Sequence, residues 1–238
     1  ACPAADCETL ALLVHAKTLG NAFFVRQFLQ NLYEEGWLRF DFAIHRWTWD
    51  LRQIETLNFT NNVVDLMAAK LQRLSPGTGR LLQLASCIGN EFDLRTLALI
   101  SEKSEPSTMA ELSEPLTQGL VIPLDDHYKL PDTAALAHLS FLHDRVQQAA
   151  YSLIPESERQ PTHLHIAQLL LTNTAEEERG DKLFEIVHHF NQGLELLVTP
   201  ARRREVAEQN LQAGQKAKEA AAFRTAWDYF TVARRLLP

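Results

Sequence analysis

The chain has 238 residues, of which 46% are hydrophobic and 22% are charged, a composition typical of a globular protein with a sizeable core. Its formal net charge of −7 argues against a nucleic-acid-binding protein, because binding to phosphates requires clustered lysines and arginines. No run of eighteen apolar residues occurs, so the sequence predicts no membrane-spanning helix, and a cytoplasmic location is the plain interpretation. The three cysteines lack C-x-x-C spacing and favour neither a disulfide framework nor a zinc site.

The first sixty residues predict two helices followed by a β-hairpin. The apolar segment 10–17 ends near Gly20, which can close a helix in the left-handed conformation. Apolar residues spaced three and four apart then predict a second helix, which ends at Gly36. Alternation across 38–50 predicts a short β-hairpin. Its aromatic side chains are expected to form the hairpin core: Trp37, Phe40, Phe42, Trp47 and Trp49.

Residues 59–142 predict short helices in tight succession followed by two strands. Ser75 followed by Pro76 is typical of a helix start. The expected caps of the first three helices are Thr60 or Asn61, Ser75 and Asp93. After a fourth helix, 120–131 predicts a strand, an Asp-Asp turn and a second strand, with the whole wing near 120–141. This order of elements is that of a winged-helix domain.

Residues 143–238 predict helix to the end of the chain, and the last helix pair carries a repeat pattern. The tetratricopeptide pattern has glycine, alanine, phenylalanine, alanine and proline at fixed offsets. All five offsets match here: Gly214, Ala226, Phe230, Ala233 and Pro238. The match is partial, because the positions of the pattern's Trp, Leu and Tyr hold Asn210, Ala213 and Ala217. One such pair cannot bury its apolar face alone, so the chain is expected to be a piece of a longer one, as its start without methionine also suggests.

The doublet His143-Asp144 stands where the predicted wing ends and a helix begins. In one interpretation, His143 faces a ligand through the first-turn amides of that helix. In the other, the doublet is a helix cap, in which Asp144 complements the helix dipole and His143 is exposed. The residue types alone favour the cap.

No residue pattern predicts a metal site or a catalytic residue. A metal enzyme needs histidines that converge on one centre, but His163 and His165 are two apart on one predicted helix, and the adjacent His188 and His189 also diverge. The sequence has no G-x-x-x-x-G-K-[ST] phosphate loop, and no Ser-His-Asp or Cys-His pair has supporting context. The chain alone is therefore predicted not to be an enzyme.

A DNA-binding regulator is a further hypothesis, since 93–103 is the third helix of the predicted winged helix and a candidate recognition helix. Residues 60–142, however, contain ten acidic and six basic residues, and the resulting net charge of −4 repels phosphates. The sequence therefore predicts no nucleic-acid partner and favours packing between domains as the role of this fold.

Three segments, 17–41, 61–98 and 141–159, together resemble the C-terminal half of signal-transduction ATPases of the STAND class. The likeness is greatest to the AAA-type module of large bacterial, often cyanobacterial, serine/threonine and hybrid histidine kinases, and it spans nearly the whole chain. The resemblance implies a mainly α protein with a helical lid and β-hairpin in 1–58. A winged helix would follow in 59–142, and a helical region entering tetratricopeptide-like repeats in 143–238.

The resemblance also implies two groups of nucleotide-binding residues. In the class, a G-x-P motif of the lid, often G-N-P-F-F, brings backbone and a proline ring against adenine. Gly20-Asn21-Ala22 stands at this position, with alanine in place of the proline. An M-H-D motif ends the winged helix, and its histidine meets the β-phosphate of ADP. The doublet His143-Asp144 matches this motif, which implies that His143 contacts ADP and that Asp144 caps the helix and holds the loop.

The function implied by the resemblance is a non-catalytic regulatory piece of an ATP/ADP switch, in which ADP holds the domains closed and ATP releases them. ATP or ADP is the cofactor of the intact parent, and the piece itself requires none. The implied partners are the parent's nucleotide-binding and kinase domains, with protein partners on the helical repeats. The alternative is an interaction scaffold of helical repeats whose switch has decayed, which Ala22 keeps open. A DNA-binding regulator is the third hypothesis.

Overall fold

The structure, a computed structural model, describes residues 4–18, 20–56, 63–129 and 136–237. These residues form twelve α-helices and five short β-strands, so the predicted mainly α fold class is confirmed. The chain divides into two compact units, Ala1–Lys70 and Leu71–Pro238. Within the described ranges, no helix has both the length and the apolar character that crossing a membrane requires.

The first unit is built from helices around a β-hairpin. Its elements are α1 (Ala4–Thr18), α2 (Ala22–Glu34), β1 (Leu38–Asp41), β2 (Arg46–Trp49), α3 (Leu51–Thr56) and most of α4 (Val63–Leu71). The hairpin prediction is confirmed, since β1 pairs antiparallel with β2. The buried core of this unit includes a cluster of five residues: Leu10, Val14, Phe28, Leu32 and Ile54. The expected caps of α4, Thr60 or Asn61, lie outside the described residues.

The aromatic side chains of the hairpin divide between core and solvent, which corrects the prediction that all five form a hairpin core. Trp37 and Trp49 pack against the helical core, but Phe42 and Trp47 are 79% and 43% exposed. Phe40 contacts both exposed rings, with centroids 5.1 and 5.5 Å away. The buried helical core packs against the base of the hairpin, at Leu38 and Trp49, whereas Trp47 contacts the exposed Tyr33 ring of α2, with centroids 5.8 Å apart.

The second unit begins with a small sheet surrounded by helices. Its first elements are α5 (Pro76–Ile88), β3 (Glu91–Asp93), α6 (Leu94–Ile100), α7 (Glu105–Thr117), β4 (Val121–Pro123) and β5 (His138–Phe141). Strand β5 lies between β3 and β4 and pairs antiparallel with both. Two predicted caps are confirmed: Ser75 Oγ accepts a hydrogen bond from Thr78 N at 3.2 Å, and Asp93 Oδ1 accepts one from Thr96 N at 2.7 Å.

The strands β4 and β5 differ from the predicted wing in the location of the second strand. The sequence predicts a strand directly after the Asp-Asp turn, but 127–129 form a 3-10 turn and β5 is the partner of β4. The reason is local: the carboxylate of Asp125 accepts hydrogen bonds from the backbone N of His127 and of His138, both at 2.9 Å. These bonds bend the chain away from β4 and tie the turn to the start of β5. Residues 130–131 of the predicted strand lie outside the described residues.

Five helices complete the second unit: α8 (Asp144–Ser152), α9 (Glu156–Asn173), α10 (Arg179–Gln192), α11 (Pro200–Glu219) and α12 (Phe223–Leu236). Helix α8 packs against α5, and each helix from α9 to α11 packs against the next one along the chain. In the last pair, Gly214 of α11 faces the ring of Phe230 on α12, so closely that an added Cβ would lie 2.5 Å from Phe230 Cε1. Ala226 and Ala233 are buried on α12, and Pro238 lies outside the described residues.

Replacing Gly214 with alanine is expected to destabilise the second unit by about 1–3 kcal/mol, because the new methyl group overlaps the Phe230 ring. Gly79→Ala is the matched control, since Gly79 is also helical and an added Cβ there meets no described atom within 4 Å. At that position alanine should stabilise by roughly 0.5–1 kcal/mol. Urea unfolding measures both changes. Equal stability of the two variants would contradict the close packing of Gly214.

Candidate functional site

The segment Gly20-Asn21-Ala22 connects α1 to α2. Gly20 has φ +74°, the left-handed conformation that glycine adopts without strain, and it closes α1 as predicted. A Cβ at this position would lie 3.1 Å from His15 Nε2. Asn21 is the N-cap of α2, and its side-chain oxygen accepts a hydrogen bond from Phe24 N at 3.2 Å. The Gly-Asn turn is thus required by the start of α2, independently of any ligand.

Ala22 is the first residue of α2, and it stands where the G-x-P motif of STAND ATPases has proline. Proline is favoured at this helix position, because the first N–H has no intrahelical acceptor. The preceding Asn21 has φ −64° and ψ 119°, within the extended region that a residue before proline adopts. The backbone is therefore compatible with the G-x-P motif, although the proline ring is absent.

An apolar cleft of about 500 Å³ lies beside Gly20 within the first unit. Side chains of α1, α2 and the hairpin line it, among them Val14, Val25, Trp47 and Trp49. Its size and lining fit an aromatic or apolar group. None of its described lining residues is a lysine or arginine, so phosphate groups would have to be held by other residues.

His143 is the N-cap of α8 and follows β5 after a single residue. Its Nδ1 accepts a hydrogen bond from the backbone N of Arg145 at 3.2 Å, which requires a neutral ring with the hydrogen on Nε2. Nδ1 also lies against Oδ1 of Asp144. When Nδ1 accepts the bond from Arg145, Nε2 carries the ring hydrogen, as a donor to a phosphate oxygen must.

The assignment of the helix cap to Asp144 is corrected by the structure, because His143 occupies the N-cap position. Asp144 is already the first helical residue, so its carboxylate lies in the first turn, where negative charge complements the helix dipole. The side chain of His143 is 29% exposed, so it is neither buried nor freely solvated.

The predicted nucleotide-binding residues are distributed over both compact units. Gly20-Asn21-Ala22 belongs to the first unit, and His143-Asp144 belongs to the second. Each group begins a helix inside its own unit. Helix starts present backbone N–H groups, which are ready donors for anions.

The candidate DNA-recognition segment forms α6, most of which is turned into the core. Its buried residues are Leu94, Thr96, Leu97, Ala98 and Ile100. The next helix, α7, has three glutamates and no lysine or arginine among its thirteen residues. Neither helix presents a basic face.

Two histidines on different helices contact each other, although each points away from the histidine nearest to it in the sequence. The sequence does not predict this contact. The Nδ1 atoms of His163 on α9 and His189 on α10 are 2.8 Å apart, and the Tyr151 hydroxyl on α8 is 3.1 Å from His163 Nε2. Burial lowers the pKa of His163 to about 4 and that of His189 to about 3, and nearby histidines add to the effect. His165 points elsewhere, as predicted, and its Nε2 lies 2.9 Å from a carboxylate oxygen of Glu102.

This histidine pair does not form a metal site. Within the described ranges, no group of three or more His, Cys, Asp or Glu side chains is arranged to hold a metal ion. The facing Nδ1 atoms bond to each other, and a metal ligand needs that lone pair for the ion. The two histidines are 26 positions apart in the sequence, and no local pattern predicts that they pair.

Comparison with curated proteins finds a similar segment in "Hybrid signal transduction histidine kinase G" of Dictyostelium discoideum. The sequences are 30% identical over 278 residues, which cover 97% of this chain and 8% of the relative. The chain is thus similar to a small part of a signal-transduction protein. No model of a known protein family matches the chain, and no solved structure matches it.

Restoring proline at position 22 is expected to stabilise the first unit by about 0.4–1 kcal/mol, because the backbone of α2 is already compatible with it and the unfolded chain loses freedom. Ala11→Pro is the control, since Ala11 lies inside α1, where proline removes a helical hydrogen bond and costs about 3 kcal/mol. Thermal and urea unfolding distinguish the two. Destabilisation by both variants to a similar extent would mean that Ala22 does not occupy a helix start.

Proposed function

We propose that the chain is a non-catalytic regulatory module of an ATP/ADP switch in a multidomain signalling kinase. The likeness to 8% of a hybrid signal transduction histidine kinase supports a role as one part of a longer signalling chain. The observation that carries the proposal is the geometry of His143, which caps α8 through Nδ1 and in that role carries its ring hydrogen on Nε2. A β-phosphate oxygen is a strong acceptor for such a donor.

The order of elements in the second unit supports a winged-helix interpretation. Helix α5, strand β3, helices α6 and α7, and strands β4 and β5 follow one another, with β5 central in the sheet. His143 then follows the last strand of the domain, which is the position of the M-H-D histidine in STAND ATPases. The domain boundaries at 58/59 and 142/143 belong to this proposal.

The last two helices support the tetratricopeptide-like interpretation. Gly214 packs against Phe230 as the repeat pattern requires. The pattern's tryptophan position holds Asn210, which is fully buried and exchanges hydrogen bonds of 2.9 and 3.0 Å with Asn191 of α10. The amide pair thus makes a contact between α11 and the preceding helix at the pattern's tryptophan position. On this proposal, the helical surfaces contact other domains of the parent or protein partners.

ATP or ADP is the proposed cofactor of the intact parent. The sequence contains no phosphate loop, so the parent's nucleotide-binding domain would supply most phosphate contacts. His143 would add one bond that forms with ADP in the closed state, and Gly20-Asn21-Ala22 would offer backbone to the adenine. Such a bond shifts the balance between closed and open states only as far as it differs between them.

His143→Asn in the intact parent separates phosphate binding from capping. Asparagine is a favoured N-cap residue, so the start of α8 is kept while the Nε2 donor is lost. A charge-assisted hydrogen bond contributes about 1.5–3 kcal/mol, so ADP affinity should fall roughly ten- to a hundredfold. Resting output without signal should rise, because ADP no longer favours the closed state. Titration calorimetry with ADP measures the affinity.

His165→Asn is the control for that experiment, because it removes a histidine of the same unit that lies against Glu102 instead of a helix start. It should leave ADP affinity unchanged. An ADP affinity of His143→Asn equal to that of the parent would limit His143 to its capping role and overturn the proposed switch.

A helical-repeat scaffold without nucleotide switching is the second candidate. It is favoured by Phe223 and Trp227, one turn apart on α12 and 67% and 69% exposed, which is typical of a surface that binds another protein. Ala22 in place of the motif proline also favours it. Absence of ADP binding by the intact parent would decide for this candidate.

A DNA-binding regulator is the third candidate, and the charge of the second unit argues against it. Most of α6, the candidate recognition helix, is buried, and the charged residues of the next helix, α7, are all glutamates. We expect no retention of the chain on duplex DNA at physiological salt, because no counterions would be released. Fluorescence anisotropy across a salt series tests this. Sequence-specific binding with a steep salt dependence would favour the DNA-binding candidate instead.

A further inference from the structure

Helix α10 is joined to its two neighbours by polar pairs of different chemistry, a buried histidine pair and a partly buried amide pair. Toward α11, Asn191 and Asn210 exchange two amide hydrogen bonds, of 2.9 and 3.0 Å. Toward α9, His189 and His163 share one hydrogen bond between their Nδ1 atoms, at 2.8 Å. Amides do not titrate near neutral pH, whereas imidazoles do. The two sides of α10 therefore respond differently to acid.

The histidine pair, His163 with His189, has one favourable arrangement of hydrogens. His189 is fully buried, and its Nε2 has no hydrogen-bond partner among the described residues. A hydrogen on that atom would be a buried, unpaired donor, so His189 carries its hydrogen on Nδ1 and donates it to His163 Nδ1. His163 then carries its hydrogen on Nε2 and donates it to the hydroxyl of Tyr151. A directed chain of hydrogen bonds thus runs from α10 through α9 to α8.

An added proton has no favourable position in the histidine pair. On Nε2 of His189 it would be a charged donor without an acceptor. On Nδ1 of His163 it would face the Nδ1 hydrogen of His189 across 2.8 Å. Moving the hydrogen of His189 to Nε2 relieves that clash but again leaves a buried donor unpaired. Protonation therefore opposes the contact between α9 and α10 in every arrangement.

Among the described residues, the charged groups that shift the pKa of His163 and His189 are other histidines and not carboxylates. His188 on α10 has its ring centroid 6.3 and 5.5 Å from the two rings of the pair. Arg159 on α9 lies over the Tyr151 ring, and on α5 burial raises the pKa of the Cys87 thiol to about 12. Arg202 on α11 lies over the ring of Phe190, the residue that follows His189. No carboxylate is among the described residues that line the cleft of about 570 Å³ beside His163.

We propose that His163 and His189 form a proton-sensitive latch between α9 and α10, which opens on acidification while the contact between α10 and α11 stays closed. Opening would also free the Tyr151 end of α8, the helix that begins at His143. An effect on nucleotide sensing through α8 rests on the proposed function, whereas the latch itself does not.

The direction of the pH dependence follows from the histidine protonation states. In the closed state the pKa of each histidine is lowered below its ordinary 6.5 by burial, so the open state binds more protons below that pH. The latch is closed at neutral pH and above, and it opens progressively as the pH falls from about 6.5 toward 4.

Hydrogen exchange of the chain between pH 7.5 and 5, corrected for intrinsic exchange rates, tests the proposal. For each proton taken up, the opening equilibrium of amides at the α9–α10 contact should rise about tenfold per pH unit below 6.5. Amides at the α10–α11 contact should be unaffected. Simultaneous opening of both contacts, or no change at either, would overturn the latch.

The double variant His163→Asn/His189→Asn removes titration from the same contact. It brings an amide near each Nδ1 position, as in the neighbouring Asn191–Asn210 pair, so the pH dependence should disappear whatever the loss of overall stability. His165→Asn, on the same helix, should keep the full pH dependence. A double variant with the pH dependence of the original chain would contradict the proposal. If it does not fold, proton NMR of the original chain decides, because titration of His163 or His189 near pH 6.5 would equally overturn the latch.

These outcomes are independent of the ADP experiment. A chain whose His143→Asn variant binds ADP normally can still open between α9 and α10 in acid, and failure of the latch leaves the role of His143 untouched.

Discussion

The pairing of β5 with two other strands is the constraint on which the second unit depends. β5 is only four residues long, yet it lies between β3 and β4 and buries Leu139 and Phe141. Beyond the ladder, Phe141 N donates to Asn90 O at 2.9 Å, and Leu142 N donates to Leu120 O at 3.0 Å. Both edges of this strand are hydrogen-bonded to neighbouring backbone. The chain therefore leaves the sheet after β5, and His143 stands at the start of α8.

Helix α8 is consequently held near both ends by hydrogen bonds to histidines. At its start, His143 caps the first turn through Nδ1, and near its end Tyr151 bonds to His163 on α9. Between these ends, Val146, Ala149 and Ala150 are buried. A ligand at His143 and a proton at the histidine pair would therefore act on the same rigid element. On the proposed function, α8 would connect a nucleotide at His143 to the helical region through these two ends.

Features with local causes could be predicted from the sequence. Ser75 and Asp93 accept hydrogen bonds from N–H groups three residues on, and Gly20 takes a conformation that other residues avoid, so short motifs identify all three. The second strand of the predicted wing lies elsewhere, because Asp125 accepts a hydrogen bond from His138 thirteen positions away. His143 as an N-cap was missed for another reason: histidine is not among the residues favoured there.

Features that depend on distant contacts could not be predicted. The pairing of β3 with β5 joins 91–93 to residues more than forty positions away. The sequence predicts no strand at 91–93. His163 and His189 lie on different helices, and periodicity along each helix says only which face a side chain occupies. Phe42 and Trp47 are exposed although the alternation places them on the hairpin, because alternation along a strand does not show how far the neighbouring helices cover it.

The central claim is that α8 senses nucleotide through its first turn, and hydrogen exchange of the intact parent with and without ADP tests it most directly. The account predicts that ADP slows exchange of the amides in the first turns of α8, beginning with Arg145, whose N–H is held by His143. Exchange in α12 should not change. If ADP binds the parent and slows exchange elsewhere while residues 143–148 exchange as before, α8 does not sense the nucleotide and the account is contradicted.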